Sequence, residues 1–250
     1  MTPYEIVAHR GIATYHPENT IPAFQRAIDL GADAVELDVR LTKDKIPVVF
    51  HYYYLENTTS FKGPIFNYSY EQLCQTKFLT PQKSFDSLKI PTLVEVLESI
   101  GGKIGLEIEI KGPEPESATI IGDTLQKFQN IWKTFEVTSY EITLLINIRE
   151  QCPGITTDLL FPRTEAWMNL DVVAYRASNL ARLARVRAVH LHPSQLSDEV
   201  IDYVRGSGIE IHAWDINDES ALQAIVEYNI PRICTDNFEL AVNFRDRIRV

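Results

Sequence analysis

The chain has 250 residues, an apolar fraction ordinary for a soluble globular protein and a formal net charge of −10 at pH 7. The length suits one large domain of alternating strands and helices, and the charge argues against a nucleic-acid partner or an anionic membrane surface. No apolar run approaches the roughly 20 residues of a membrane span, so no transmembrane segment is expected.

The opening "MTPYEIVAHR" lacks the basic start of a secretion signal, which points to the cytoplasm. Cys74, Cys152 and Cys234 are too far apart to pair as a metal finger and read as reduced packing thiols. Anionic substrates stay open, because a bound cation can reverse the local field.

From the N-terminus, "EIVAH" reads as a strand ending at His9 and Arg10. The turn-rich "GIATYHPENT" follows, and then "PAFQRAIDLG" has helical periodicity and stops at Gly31. "AVELDV" puts Glu36 and Asp38 on one strand face, with Val35, Leu37 and Val39 on the other. Such a strand is expected to be buried on both sides. "VVFH" ends at His51. No helix fits between these two runs, so one of them can be a hairpin extension rather than a barrel stave.

Residues 53 to 90 are polar, aromatic and turn-rich, and read as an insertion long enough to roof a site. "TLVEVLESIGG" is a helix, and "GLEIEIK" a strand with Glu109 and Lys111 two apart at its end and Glu107 on the same face. "EVTSY", "TTDLLF", "AVHLH", "IEIHAW" and "RICTD" complete the strands. "SDEVIDYVRGSG" and "DESALQAIVEYN" are helices that bring their own N-caps. Residues 162 to 187 look irregular, with the basic "RASNLARLARVR" as a solvated helix face. This alternation predicts an α/β fold with a parallel sheet covered by helices. The first choice is a TIM (β/α)8 barrel with a small insertion near residues 53–90, forming one domain over 1–250. An open doubly wound sheet is the alternative.

The polar groups fall at strand C-termini, the mouth where such barrels build catalysis. Facing a barrel interior, they are costly unless they pair with one another or hold a metal. Glu36, Asp38 and Glu109 form an all-oxygen set suited to a hard divalent cation, Mg²⁺ or Ca²⁺, with Mn²⁺ also compatible. His9 and His51 flanking it suit proton transfer at a phosphate, while Arg10 and Lys111 offset phosphoryl charge. Each feature has a plainer reading taken alone: an exposed carboxylate face, a core histidine, a salt-bridged edge strand. Their joint placement carries the inference.

The ordered motifs "HRG", "PENT…AF", "GAD…ELDV", "PVVFH", "IPTLVEVL", "EIK", "W-x-x-N" and "TD", from about His9 to Asp236, resemble the glycerophosphodiester phosphodiesterase family. The resemblance implies a TIM barrel, a divalent cation, and cleavage of a small-molecule glycerophosphodiester to glycerol 3-phosphate and an alcohol. It implies catalytic roles for His9 and His51, metal ligation by Glu36, Asp38 and Glu109, and phosphate contacts from Arg10 and Lys111. Glu18 and Asn19 of "PENT" would support the first loop. Trp214 would line the substrate pocket, with packing as its alternative.

Two positions depart from the family pattern. Tyr52 stands where an acid normally follows the second histidine, and Asn57 where an Arg normally precedes the Thr pair. Tyr52 can hydrogen-bond but carries no charge near neutral pH. The tyrosines at 52 to 54 are compatible with a choline-like head group held by cation–π contact, or with a surface aromatic cluster. The competing functions are a lysophospholipase D of the same superfamily and a phosphodiester-binding protein without turnover.

Overall fold

A computed structural model describes residues 3–14, 16–79, 84–85, 87–163 and 167–248. Its first parallel strands are β1 (Glu5–Ala8) and β2 (Ala34–Leu41), joined through α1 (Ile21–Asp29). β3 (Pro47–Val49) runs antiparallel to β2, pairing Val39 with Val49 and Leu41 with Pro47. This settles the surplus strand, because the chain through "VVFH" is the hairpin extension and not a stave.

The insertion contains α2 (Tyr70–Leu73) and a small hairpin of β4 (Phe78–Leu79) and β5 (Ser84–Phe85). Its residues 80–83 and 86 lie outside the described residues. A separate small core of Val48, Phe50, Leu55, Ile65, Leu73, Phe78 and Ile90 fastens it onto β3. After α3 (Leu93–Ile100) the units repeat: β6 (Gly105–Ile110), α4 (Ser117–Gln126), β7 (Phe135–Ser139), α5 (Ile142–Gln151), β8 (Thr156–Leu160), α6 (Leu170–Ala184), β9 (Ala188–Leu191), α7 (Asp198–Gly206), β10 (Glu210–Ala213), α8 (Glu219–Glu227), β11 (Arg232–Thr235) and α9 (Phe238–Arg247).

Strands β1, β2 and β6 to β11 pair in parallel, and β1 pairs with both β2 and β11. The sheet therefore closes into the expected barrel of eight strands. Capping follows the sequence: Thr92 and Glu95 form a reciprocal box at the start of α3, while Ser197 and Asp218 cap α7 and α8. The reading of residues 162 to 187 as irregular needs correction. Val173, Ala174, Ala177, Ser178, Ala181 and Ala184 give 170–184 a continuous buried stripe, so α6 packs as an ordinary barrel helix. Small residues hid that stripe, because alanines at helical spacing carry little hydrophobic signal.

The main apolar core lies between barrel and helices, with Val35, Leu37 and Val39 of β2 packed there. The barrel lumen is different. Val7, Ala34 and Cys234 form only a small apolar cluster, while Glu36, Asp38, Glu107, Glu109, Glu136, Asp158, His190 and His212 are all buried. A barrel of this type is normally filled with branched apolar side chains. Charges there need partners.

The turn after β1 is tightly built. Arg10 and Gly11 both adopt left-handed backbone, with φ of 56° and 80°. A Cβ on Gly11 would stand 2.8 Å from the carbonyl carbon of Ala23, whereas at Gly208 (φ +77°) nothing lies within 4 Å. Gly11→Ala is therefore expected to cost about 1–3 kcal/mol of unfolding free energy from strain, and more than Gly208→Ala. Urea denaturation of both variants checks this; equal losses would contradict the packing argument.

Candidate active site

Strand ends on one side of the barrel and the loops after them make the site. The left-handed turn at Arg10 aims its backbone N–H at Glu36 Oε2 (3.0 Å). The Arg10 side chain reaches Glu18 (3.1 Å) and Asp38 (3.2 Å). Asn19, also left-handed, brackets Asp38: its Nδ2 donates to Asp38 Oδ2 (2.7 Å), and its Oδ1 accepts from the Asp38 N–H (3.1 Å). Just past the end of β6, Lys111 pairs with Glu109 (2.9 Å) and with Asp38 (3.2 Å). The structure thus brings Glu18, Asn19, Arg10, Lys111 and the three carboxylates into one network.

Glu36, Asp38 and Glu109 each present a ligand atom within 4.8 Å of the others, and all three are buried. Desolvation would raise the Asp38 carboxyl, but Lys111 and Arg10 outweigh it and hold the group well below its usual range. Glu36 goes the other way, pushed far up by burial and then by the charges of Asp38 and Glu109. Burial also raises Glu109, against the pull of Lys111. Arg10 and Lys111, the two cations that pair with this set, do not balance its three buried carboxylates. Oε1 of Glu36 is buried without a hydrogen-bond partner, so this donor set fits a further, divalent positive charge.

His9 and His51 flank this group differently. Nδ1 of His9 lies 2.7 Å from Asp236 Oδ1, which leaves its Nε2 facing Glu36 at 3.8 Å. Asp236 is itself held by Asn217, whose Oδ1 accepts the Asp236 N–H (2.8 Å) and whose Nδ2 donates to its carboxylate (3.2 Å). His51 is placed by Arg40, whose Nε donates to the His51 carbonyl (2.7 Å). Its Nδ1 is buried without a partner, and Tyr52 packs edge-on against the ring at 4.6 Å. Burial holds the His51 imidazole down, to about 3, despite the attraction of Asp38.

Trp214 stands at the same mouth, its indole N–H donating to the Phe161 carbonyl (3.2 Å) and its ring edge-on to Tyr140 and His192. It also packs on the Val7, Ala34 and Cys234 cluster, which is the packing role that the sequence left as its alternative. A cavity of about 460 Å³ opens beside His51, Glu109 and Lys111, walled by Arg40, Tyr52 to Tyr54, Asn57, Tyr140 and Glu141. The guanidinium of Arg40 lies 3.9 Å from the centre of the Tyr53 ring. That contact occupies one face of the Tyr53 ring.

Deeper in the lumen lies a second group that could hold a divalent cation: Glu136, Asp158, His190 and His212, again within 4.8 Å. Here the carboxylates already have partners. Arg187 bonds both Glu136 and Asp158, Arg232 pairs with Glu136 and Glu5, and Asp158 accepts the Ala188 N–H (3.0 Å). Glu107, which the strand pattern placed beside Glu109, faces this lower group, 3.4 Å from His190. Its carboxyl is raised to about 7 by burial, partly offset by that histidine.

Sequence reasoning assigned nothing to Asp236, Asn217, Arg40 or Tyr140. The "TD" and "W-x-x-N" motifs contained the first two without indicating that they meet His9.

The family model described as the glycerophosphoryl diester phosphodiesterase family matches residues 9–240. A glycerophosphodiester phosphodiesterase of Caldanaerobacter subterraneus is 30% identical over 95% of this chain and 96% of its own length. The crystal structure of a glycerophosphodiester phosphodiesterase from Thermotoga maritima superposes with a TM-score of 0.75 at 28% identity, covering 96% of this chain and 98% of that one. An Oleispira antarctica phosphodiesterase, solved with the product sn-glycerol 3-phosphate, has a TM-score of 0.82 at 24% identity, covering 97% and 96%.

The orphaned Nδ1 of His51 generates a test. Tyr52→Asp would put a carboxylate beside the ring, and an adjacent opposite charge favours the protonated imidazole by about 1–3 pKa units. NMR titration of the His51 ring should show its pKa rising from about 3. An unchanged or lower value would show that position 52 does not govern this histidine.

Proposed function

The chain belongs to the glycerophosphoryl diester phosphodiesterase family, and we propose that it hydrolyses glycerophosphodiesters to glycerol 3-phosphate and an alcohol with His9 and His51 as its proton-transfer pair. The observation that carries this is a single mouth where two histidines flank three buried carboxylates and two cationic side chains. The product bound by the Oleispira antarctica phosphodiesterase, sn-glycerol 3-phosphate, is the one this chemistry yields.

Glu36, Asp38 and Glu109 would hold the cation, with Mg²⁺ or Ca²⁺ preferred by an all-oxygen donor set and Mn²⁺ compatible. When bound, such an ion would supply Lewis acidity for phosphoryl transfer. Arg10 and Lys111 add charge on the phosphoryl group, each already aimed by its carboxylate partners. Trp214 would line the glycerol side of the pocket.

An imidazole whose Nδ1 is tied to a carboxylate presents Nε2 as a base, and His9 has that arrangement through Asp236. His9 would take the proton of the glycerol hydroxyl as its oxygen attacks phosphorus. His51, beside the cavity that accommodates the departing group, would protonate the alcohol oxygen as the P–O bond breaks. Burial holds the free His51 imidazole low, and a negative phosphodiester beside it would favour its protonated form. Water then opens the cyclic phosphate with the two roles reversed.

Glycerol 3-phosphate release from glycerophosphoethanolamine should vanish in EDTA and return with Mg²⁺, Mn²⁺ or Ca²⁺. His9→Ala and His51→Ala should each lower kcat by about 10²- to 10⁴-fold, while metal affinity measured calorimetrically holds. Metal-independent release, or near-normal turnover in either variant, would overturn these assignments.

A further inference from the structure

Three cationic side chains reach this mouth, and one of them is unbalanced. Arg10 pairs with Glu18 and Asp38, and Lys111 with Asp38 and Glu109. Arg40 is only 7% exposed, yet among the described residues no carboxylate lies within ion-pair distance of it. Its Nε is used by the His51 carbonyl and one face of its guanidinium by Tyr53, which fixes the group in place. The two terminal nitrogens are left for the cavity that Arg40 lines. A nearly buried cation without a counter-charge is expensive, and the natural way to meet that cost is an anion from outside.

The position says which part of a substrate that anion belongs to. Arg40 follows Asp38 by two residues on β2, so it stands about 7 Å further toward the mouth. His51 lines the same cavity, and among the described residues His9 does not. If His51 protonates the leaving alcohol, the rest of that alcohol extends past it, between Arg40, Asn57 and Tyr54 and toward Tyr140 and Glu141. Resting on the hydrolase reading above, we infer that this cavity is the head-group subsite and that Arg40 selects alcohols carrying an anionic oxygen group, a carboxylate or a phosphate. A quaternary ammonium placed there would face the like charge of Arg40. An amine accompanying the carboxylate is tolerated, because Glu141 lines the same space.

Glycerophosphoserine and glycerophosphoethanolamine differ only in the head-group carboxylate, so their kcat/KM ratio isolates this contact. The wild type should favour the serine diester by about tenfold or more, as one charge-assisted hydrogen bond supplies. Arg40→Gln should bring the ratio to about one and Arg40→Lys should keep part of it. Any disturbance of His51 through its carbonyl contact acts on both substrates alike and cancels in the ratio. A wild-type ratio at or below one, or a ratio unmoved in Arg40→Gln, overturns the assignment while leaving the hydrolase reading intact. Inactivity toward both diesters and toward glycerophosphocholine with every metal would overturn both together.

Discussion

Charge balance inside the barrel is the constraint on which the rest of this structure depends. The lumen buries Glu36, Asp38, Glu107, Glu109, Glu136 and Asp158 where branched apolar side chains would normally pack. Each ionised carboxylate taken out of water costs several kcal/mol unless a partner offsets it. The lower level is matched from within, with Arg187 and Arg232 on Glu136 and Asp158 and with His190 beside Asp158 and Glu107, although burial still raises Glu107. The upper level is not, since Arg10 and Lys111 leave Glu36 and Glu109 pushed toward their protonated forms. That imbalance makes the mouth receptive to a divalent cation, and the lower level a self-contained support.

Local backbone choices serve the same end. Left-handed residues at Arg10 and Asn19 cost strain, and each delivers hydrogen bonds to a buried carboxylate, at Glu36 and Asp38 respectively. The hairpin from β2 to β3 brings His51 back beside its own strand, with the Phe50 N–H bonded to the Asp38 carbonyl (2.9 Å). The histidine pair is asymmetric as a result. One ring is tied to a carboxylate at the far end of the chain, and the other is buried with an unpartnered nitrogen.

Much of this was legible in the residues. Strand–helix alternation announced the closed barrel, and the two-residue spacing of Glu36 with Asp38 and of Glu109 with Lys111 put those side chains on inward faces at strand ends. The same spacing placed Arg40 on that face, but one arginine beyond a carboxylate pair reads as an ordinary strand end until its missing counter-ion is seen. Asp236 meets His9 across 227 positions of sequence, a pairing only barrel closure creates. The lower network was hidden for the same reason, because Glu136, Asp158, Arg187 and His190 come from neighbouring units with no local signature. Helix α6 escaped because its buried face is built mostly from alanine.

The most direct test is where a cation goes. Crystals grown with Mn²⁺ and measured at its absorption edge should show an anomalous peak among Glu36, Asp38 and Glu109, with none among Glu136, Asp158, His190 and His212. A peak at the lower group with the mouth empty would contradict the charge-balance account, because Arg187 would then have yielded a site that the structure shows it filling.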